Sequence, residues 1–214
     1  MSAYHIDKAR RHLAAKQWPE ALESAALAAE KSPADANAWY MKGTVEMGAG
    51  RHAEAMKSAA RVTELAPHDA KGWLLLGSAA EAGQDIAAAK QAYERAIEAE
   101  PRWGAAWNRV GTLAFDAGDL DKAQDAFEHA VECDPNHARS WNNLALARMG
   151  RGDLASAEAA LKSALAVWPD YSMAYRNLAR IAAARGEERR RDAYGALASR
   201  IDAIKADEEQ ARNP

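Results

Sequence analysis

Residues 101–135 read PRWGAAWNRVGTLAFDAGDLDKAQDAFEHAVECDP, a proline at each end and a Gly118-Asp119 step near the middle. The two prolines belong to a series. Pro33, Pro67, Pro101, Pro135 and Pro169 stand 34 residues apart, so five of the seven prolines mark one place in a recurring unit. Proline lacks an N–H and clashes with the preceding turn, so it cannot continue a helix. Each one therefore punctuates the join between one helical pair and the next. A fixed period of this length marks a stacked repeat.

Other positions fall into the same register. When units are counted from Ala36, Ala70, Gly104 and Ala138, the fourth residue is Trp39, Trp73, Trp107 or Trp141. The seventh and eighth are Lys42-Gly43, Leu76-Gly77, Val110-Gly111 and Leu144-Ala145. The twentieth is Ala55, Ala89, Ala123 or Ala157, and the twenty-fourth is Ala59, Tyr93, Phe127 or Leu161. On these residues the chain resembles the tetratricopeptide repeat (TPR) family, whose pattern is W-x2-L-G-x2-Y, then A-x3-F, then P. The resemblance implies an all-α fold: a right-handed α-solenoid of antiparallel helix pairs, the TPR superhelix.

Helices are expected near 3–15, 18–31, 36–48, 52–65, 70–82, 86–99, 104–116, 120–133, 138–149, 154–167, 172–185 and 187–205. Positions 4, 7, 8 and 11 share one helical face, because three and four are the spacings of neighbouring rows. The tryptophan is expected to fill the space between helices. The eighth residue is small in every unit (Ala9, Gly43, Gly77, Gly111, Ala145, Ala179), letting two backbones approach. Gly50, Gly118, Gly152 and Gly186 are placed to end the first helix of a pair in a left-handed cap. Asp119, Asp153 and Glu187 follow, suited to starting the next helix.

The repeats use nearly the whole chain. Units run 2–35, 36–69, 70–103, 104–137, 138–171 and 172–205, read as one solenoid over 1–205 with a polar tail at 206–214. The end units are degenerate, as the ends of a solenoid should be. His5 and His12 replace aromatics in the first, and Arg191 stands where the last should have alanine.

Composition excludes several functions. A net charge of −3, with acids and bases intermixed, leaves no phosphate-binding footprint, so no nucleic-acid partner is expected. No apolar run approaches the ~18 residues of a membrane span, and residues 1–16 contain no apolar signal core, which predicts a cytoplasmic protein without a membrane partner. The single cysteine, Cys133, reads as a small buried hydrophobe. The six histidines have no metal-ligand spacing, and GxSxG, P-loop and GxGxxG patterns are absent. No catalytic residue, metal or cofactor is expected, and the chain reads as a non-enzyme.

A surface for protein contact remains. With positions 4, 7, 8 and 11 in the core, positions 2, 5, 6, 9 and 13 lie largely on the other side. In the TPR family that side lines the concave groove where ligands are held. Units two and three contribute Tyr40, Met41, Leu74 and Leu75, an apolar patch expected to be covered by a ligand or by another copy. Units four to six contribute Asn108, Arg109, Arg139, Asn142, Asn143, Arg176, Asn177 and Arg180.

Asparagine offers donor and acceptor together and can clamp a peptide backbone, while arginine adds planar recognition of carboxylates. Asn143 and Asn177 resemble two rungs of the asparagine ladder in O-linked N-acetylglucosamine transferases, with Arg109 replacing the next. Neither is expected in the helix-packing layer. The clamp that holds the acidic tails of heat-shock chaperones does not match, since Asn108, Thr112, Met173 and Asn177 stand where it needs other residues. The sequence thus predicts a scaffold that binds an extended or helical peptide segment, one with an acidic or free C-terminal end. An accessory subunit of an assembly or secretion machine, and the regulatory part of a larger enzyme, are the alternatives.

Overall fold

A computed structural model describes residues 2–212. Among these residues there are twelve helices and no strand: α1 (Ser2–Ala14), α2 (Trp18–Lys31), α3 (Ala36–Gly48), α4 (His52–Leu65), α5 (Ala70–Ala82), α6 (Ile86–Ala99), α7 (Gly104–Asp116), α8 (Leu120–Cys133), α9 (Ala138–Gly150), α10 (Leu154–Val167), α11 (Ser172–Ala184) and α12 (Glu188–Arg212). The fold is an all-α solenoid of antiparallel pairs. All helices but the last begin and end within one residue of the sequence expectation. α12 departs from it: residues 206–212, expected as a polar tail, continue the helix, because they contain neither glycine nor proline. Positions 213 and 214 of that tail lie outside the described residues.

Local chemistry sets the boundaries. Asp35, Asp69, Asp85, Asp119 and Asp153 are N-caps whose carboxylates accept from the backbone N–H of Asn37, Lys71, Ala88, Lys122 and Ser156. The turn inside each pair passes through a left-handed residue. Glycine fills that place at Gly50, Gly118, Gly152 and Gly186, with φ of 74, 79, 82 and 72°. Lys16 and Gln84 take it in the other two pairs, at φ 56 and 67°.

The chain divides into two compact units, residues 1–106 and 107–214. In the first, α1 to α6 form three pairs. Ala9, Ala21, Ala25, Met41 and Val45 form one cluster, and Ala28, Ala29 and Ala38 another. In the second, α7 to α12 form three pairs around Phe127, Val131, Leu144, Leu161, Leu178 and Ile181.

In the pairs α5–α6 and α7–α8 the glycine at position 8 faces the aromatic ring at position 24 of the same pair. A Cβ on Gly111 would lie 2.7 Å from the Phe127 ring, and one on Gly77 would collide with Tyr93. Where position 24 is the smaller Leu161, position 8 is Ala145, and both are fully buried.

The tryptophans do more than fill the space between helices, where Trp39, Trp73 and Trp141 pack against the core clusters. Trp39, Trp73 and Trp141 are only half-buried, and each indole N–H donates to the carbonyl of the proline six residues earlier: Pro33 at 3.0 Å, Pro67 at 2.8 Å and Pro135 at 2.8 Å. The ring thereby fastens the inter-pair turn to the helix that follows, which is why tryptophan and proline share one period. Among the described residues no helix is long and apolar enough to cross a membrane.

Candidate functional site

The polar residues expected on the open face of the second unit are tied to one another across neighbouring helices. α7, α9 and α11 are the first helices of its three pairs. Asn143 Nδ2 of α9 donates to Asn108 Oδ1 of α7 at 3.1 Å, and Ser140 Oγ donates to the same oxygen at 3.1 Å. One pair further on, Asn177 Nδ2 of α11 donates to Asn142 Oδ1 of α9 at 2.8 Å. Asn177 Oδ1 in turn accepts from Arg180 Nη1 at 3.3 Å.

Asn142 and Asn177 are each only 3% exposed. Both therefore belong to the packing between α9 and α11, and the expectation that Asn177 stands clear of the packing layer is corrected. A primary amide buried beside another amide keeps its donors and acceptors paired, which is what makes its burial tolerable. Asn143 and Asn108 are half-buried and border the open face.

The arginines differ among themselves. Arg176 Nη2 is held by Asp202 of α12 at 2.5 Å. The Ser172 hydroxyl and the Arg176 guanidinium hold Asp202 below the usual carboxylate range. Arg109, Arg139 and Arg180 are exposed. Arg180 stands at the edge of a cleft. That cleft, about 540 Å³, is lined by Phe115, Leu146, Met149, Gly150, Leu154, Arg180 and Ala184. A smaller one of about 210 Å³ shares Phe115 and Leu146 and reaches Thr112, Asp116, Phe127 and Asn143.

The open face of this unit thus has an apolar floor with an amide on one side and a guanidinium on the other. Phe115, Leu146 and Met149 were absent from the sequence reading. Leu146 occupies position 9, so counting faces could have found it, but an apolar residue in an apolar helix reads as core.

In the first unit the expected apolar patch is only partly open. Met41 is 8% exposed and packs with Ala9, Ala21, Ala25 and Val45. Tyr40, Leu74 and Leu75 are half-buried, and Leu75 closes over the place where Gly43 would carry a Cβ. An inner position beside a glycine is covered by the neighbouring helix's side chain. Of the four residues Met41 is thus withdrawn into the core, whereas Tyr40, Leu74 and Leu75 keep part of their surface exposed.

Elsewhere the second unit is strongly ion-paired. Glu158 of α10 is 9% exposed and is held by Arg185, by Arg190 at 2.8 Å and by Lys162 at 3.0 Å. These partners, Arg185 foremost, hold its carboxyl down at about 2. Such a cage fastens α12 to α10. Among the described residues no group of three or more histidine, cysteine, aspartate or glutamate side chains could hold a metal ion.

Comparison with known proteins agrees with the fold. Residues 6–70 match the model of a tetratricopeptide repeat, and residues 80–186, half of the chain, match that of the CABIN1 N-terminal domain. Among solved structures, the type IV pilus biogenesis factor PilW superposes with a TM-score of 0.80 at 18% identity, covering 91% of this chain and 90% of its own. MamA gives 0.65 at 23% identity, with 78% and 91% covered. YrrB, described as a TPR protein with an unusual peptide-binding site, gives 0.60 at 22% identity, with 79% and 88% covered. At these identities the likeness concerns the fold. No curated protein matches the sequence significantly.

Proposed function

Because the chain belongs to the tetratricopeptide repeat family, and over residues 80–186 to that of the CABIN1 N-terminal domain, we propose that it is a non-catalytic scaffold that binds a peptide segment of a partner protein. The seat is the open face of the second unit. One observation carries this reading: the cleft bounded by Phe115, Leu146, Met149 and Arg180 joins an apolar floor to an exposed guanidinium. Small concave sites of this kind bury an apolar group and fix it with few polar contacts.

Asn143 and Thr112, beside the smaller cleft, supply amide and hydroxyl groups to an incoming backbone. Arg180 favours a segment that carries a carboxylate next to its apolar anchor, an acidic residue or a free C-terminus, because a charge-assisted pair is about twice as strong as a neutral one. Arg109 and Arg139, exposed on α7 and α9, add positive charge outside that cleft, whereas Arg176 serves mainly to hold α12 through Asp202.

The experiment is selection of binding peptides from a randomised display library, followed by calorimetric titration. Leu146→Asp and Arg180→Glu should each weaken a selected peptide at least tenfold with unchanged circular dichroism. Peptides that bind both folded variants as tightly as wild type would remove this face from consideration.

A further inference from the structure

α1 differs from every later first helix at two positions that are buried in all of those helices. Position 3 is Ala38, Ala106, Ser140 or Ala174 elsewhere, each no more than 1% exposed, or Gly72, also buried. A Cβ on Gly72 would lie 2.7 Å from Val62 of the preceding α4, which shows how tightly this face is covered. Position 10 is Val45, Ala79, Leu113, Ala147 or Ile181, all buried. In α1 these places hold Tyr4, which is 62% exposed, and Arg11, also exposed.

A face built for helix docking therefore carries an aromatic ring and a cation. Tyr4, Lys8, Arg11, His12, Ala15 and Gln17 enclose a cleft of about 480 Å³ there. The segment is basic: Lys8, Arg10, Arg11 and Lys16 stand against Asp7, and Asp7 is taken by Arg10 at 3.0 Å. In a chain whose net charge is −3 this is a local reversal.

The matching surface occurs in the same sequence. α12 is 25 residues long, where the other helices have 13 or 14. Residues 203–209 of it are exposed. They contain Asp207, Glu208 and Glu209 against Lys205, and Lys205 is already engaged with the Asp170 carbonyl and the Trp168 ring. Leu197 and Ile204, 43% and 49% exposed, lie on one side of the helix with Ile201 between them. Their spacing, i, i+4, i+7, repeats that of Tyr4, Lys8 and Arg11, and residues so spaced share one helical face.

We propose that the outward face of α1 receives the C-terminal part of α12 from a second copy of this chain, the apolar stripe against Tyr4 and the acidic end against Lys8 and Arg11. The two surfaces differ, so the association is heterologous: each copy offers one of each. Electrostatic complementarity fixes the pairing and is screened by salt.

Sedimentation equilibrium of the full chain tests this. At low salt the weight-average mass should rise above 23.1 kDa with concentration, and it should fall back in 0.5 M sodium chloride, since screening at about 3–10 Å removes exposed charge pairs. Lys8→Glu/Arg11→Glu and Asp207→Lys/Glu209→Lys should each raise the dissociation constant at least tenfold, with helicity checked by circular dichroism. Mixing the two variants should restore association, because the unchanged α12 of the first then meets the unchanged α1 of the second and the two reversed faces also match. A wild type that stays at 23.1 kDa at low salt, variants that associate like wild type, or a mixture that stays monomeric each overturn the proposal.

Discussion

Asn177 donates its side-chain amide to Asn142 at 2.8 Å across the α9–α11 contact, with both residues 3% exposed. Two residues that the sequence assigned to ligand recognition thus spend that capacity on joining consecutive pairs. Truncating Asn177 would leave the Asn142 carbonyl buried without its donor. Asn177→Ala is expected to destabilise by about 1–3 kcal/mol, read from urea unfolding. Asn143→Ala, at a half-buried site, should cost less than about 1 kcal/mol. Equal effects would mean that the buried amide pair contributes nothing of its own.

Gly111 and Phe127 give a second prediction. A Cβ on Gly111 would lie 2.7 Å from the ring, so Gly111→Ala should destabilise by about 1–3 kcal/mol through overpacking. Adding Phe127→Leu recreates the Ala145–Leu161 combination found one pair later. The double variant should therefore be more stable than the sum of the single effects implies, and a double-mutant cycle measures that coupling.

The cap inside each pair predicts a gain. Gln84 sits at φ 67° where four other pairs use glycine. Relieving that conformation is worth roughly 1–2 kcal/mol, less glycine's larger entropy loss of about 0.5–1 kcal/mol. Gln84→Gly should raise stability by the difference, up to about 1.5 kcal/mol. A lower thermal midpoint for the variant would contradict it.

Acid should loosen the second unit through Glu158. Its carboxyl is held at about 2 instead of 4.5 by Arg185, Arg190 and Lys162. A depressed folded value stabilises fully above pH 4.5, and that contribution is lost as pH falls from about 4.5 towards 2. Unfolding midpoints measured at pH 6, 4 and 3 should decline for wild type and decline less for Glu158→Gln.

How much of this was legible in the sequence depends on the residue. The period of Pro33, Pro67, Pro101, Pro135 and Pro169 located the helices almost to the residue, because proline and the left-handed glycines act locally. The partner of each tryptophan was not legible: that the indole N–H reaches back to the proline carbonyl is a matter of ring orientation. Met41 and Asn177 share position 6 with the exposed Arg109, yet the first two are buried. Positions 5 and 6 lie on the border between the packed and open faces, so the neighbouring first helix decides which of them is covered. The cleft escaped notice for the opposite reason. Phe115, Leu146 and Met149 look like core residues, and only tertiary placement shows that they line an open surface.

The most direct test of the scaffold reading is a map of contacts by nuclear magnetic resonance. A display-selected peptide is titrated into isotope-labelled protein, and backbone and methyl shifts are followed. Perturbations centred on Thr112, Asn143, Leu146, Met149 and Arg180, absent from α1 and from the exposed end of α12, are what the account predicts. Saturable perturbations confined to surfaces away from α7, α9 and α11 would contradict it.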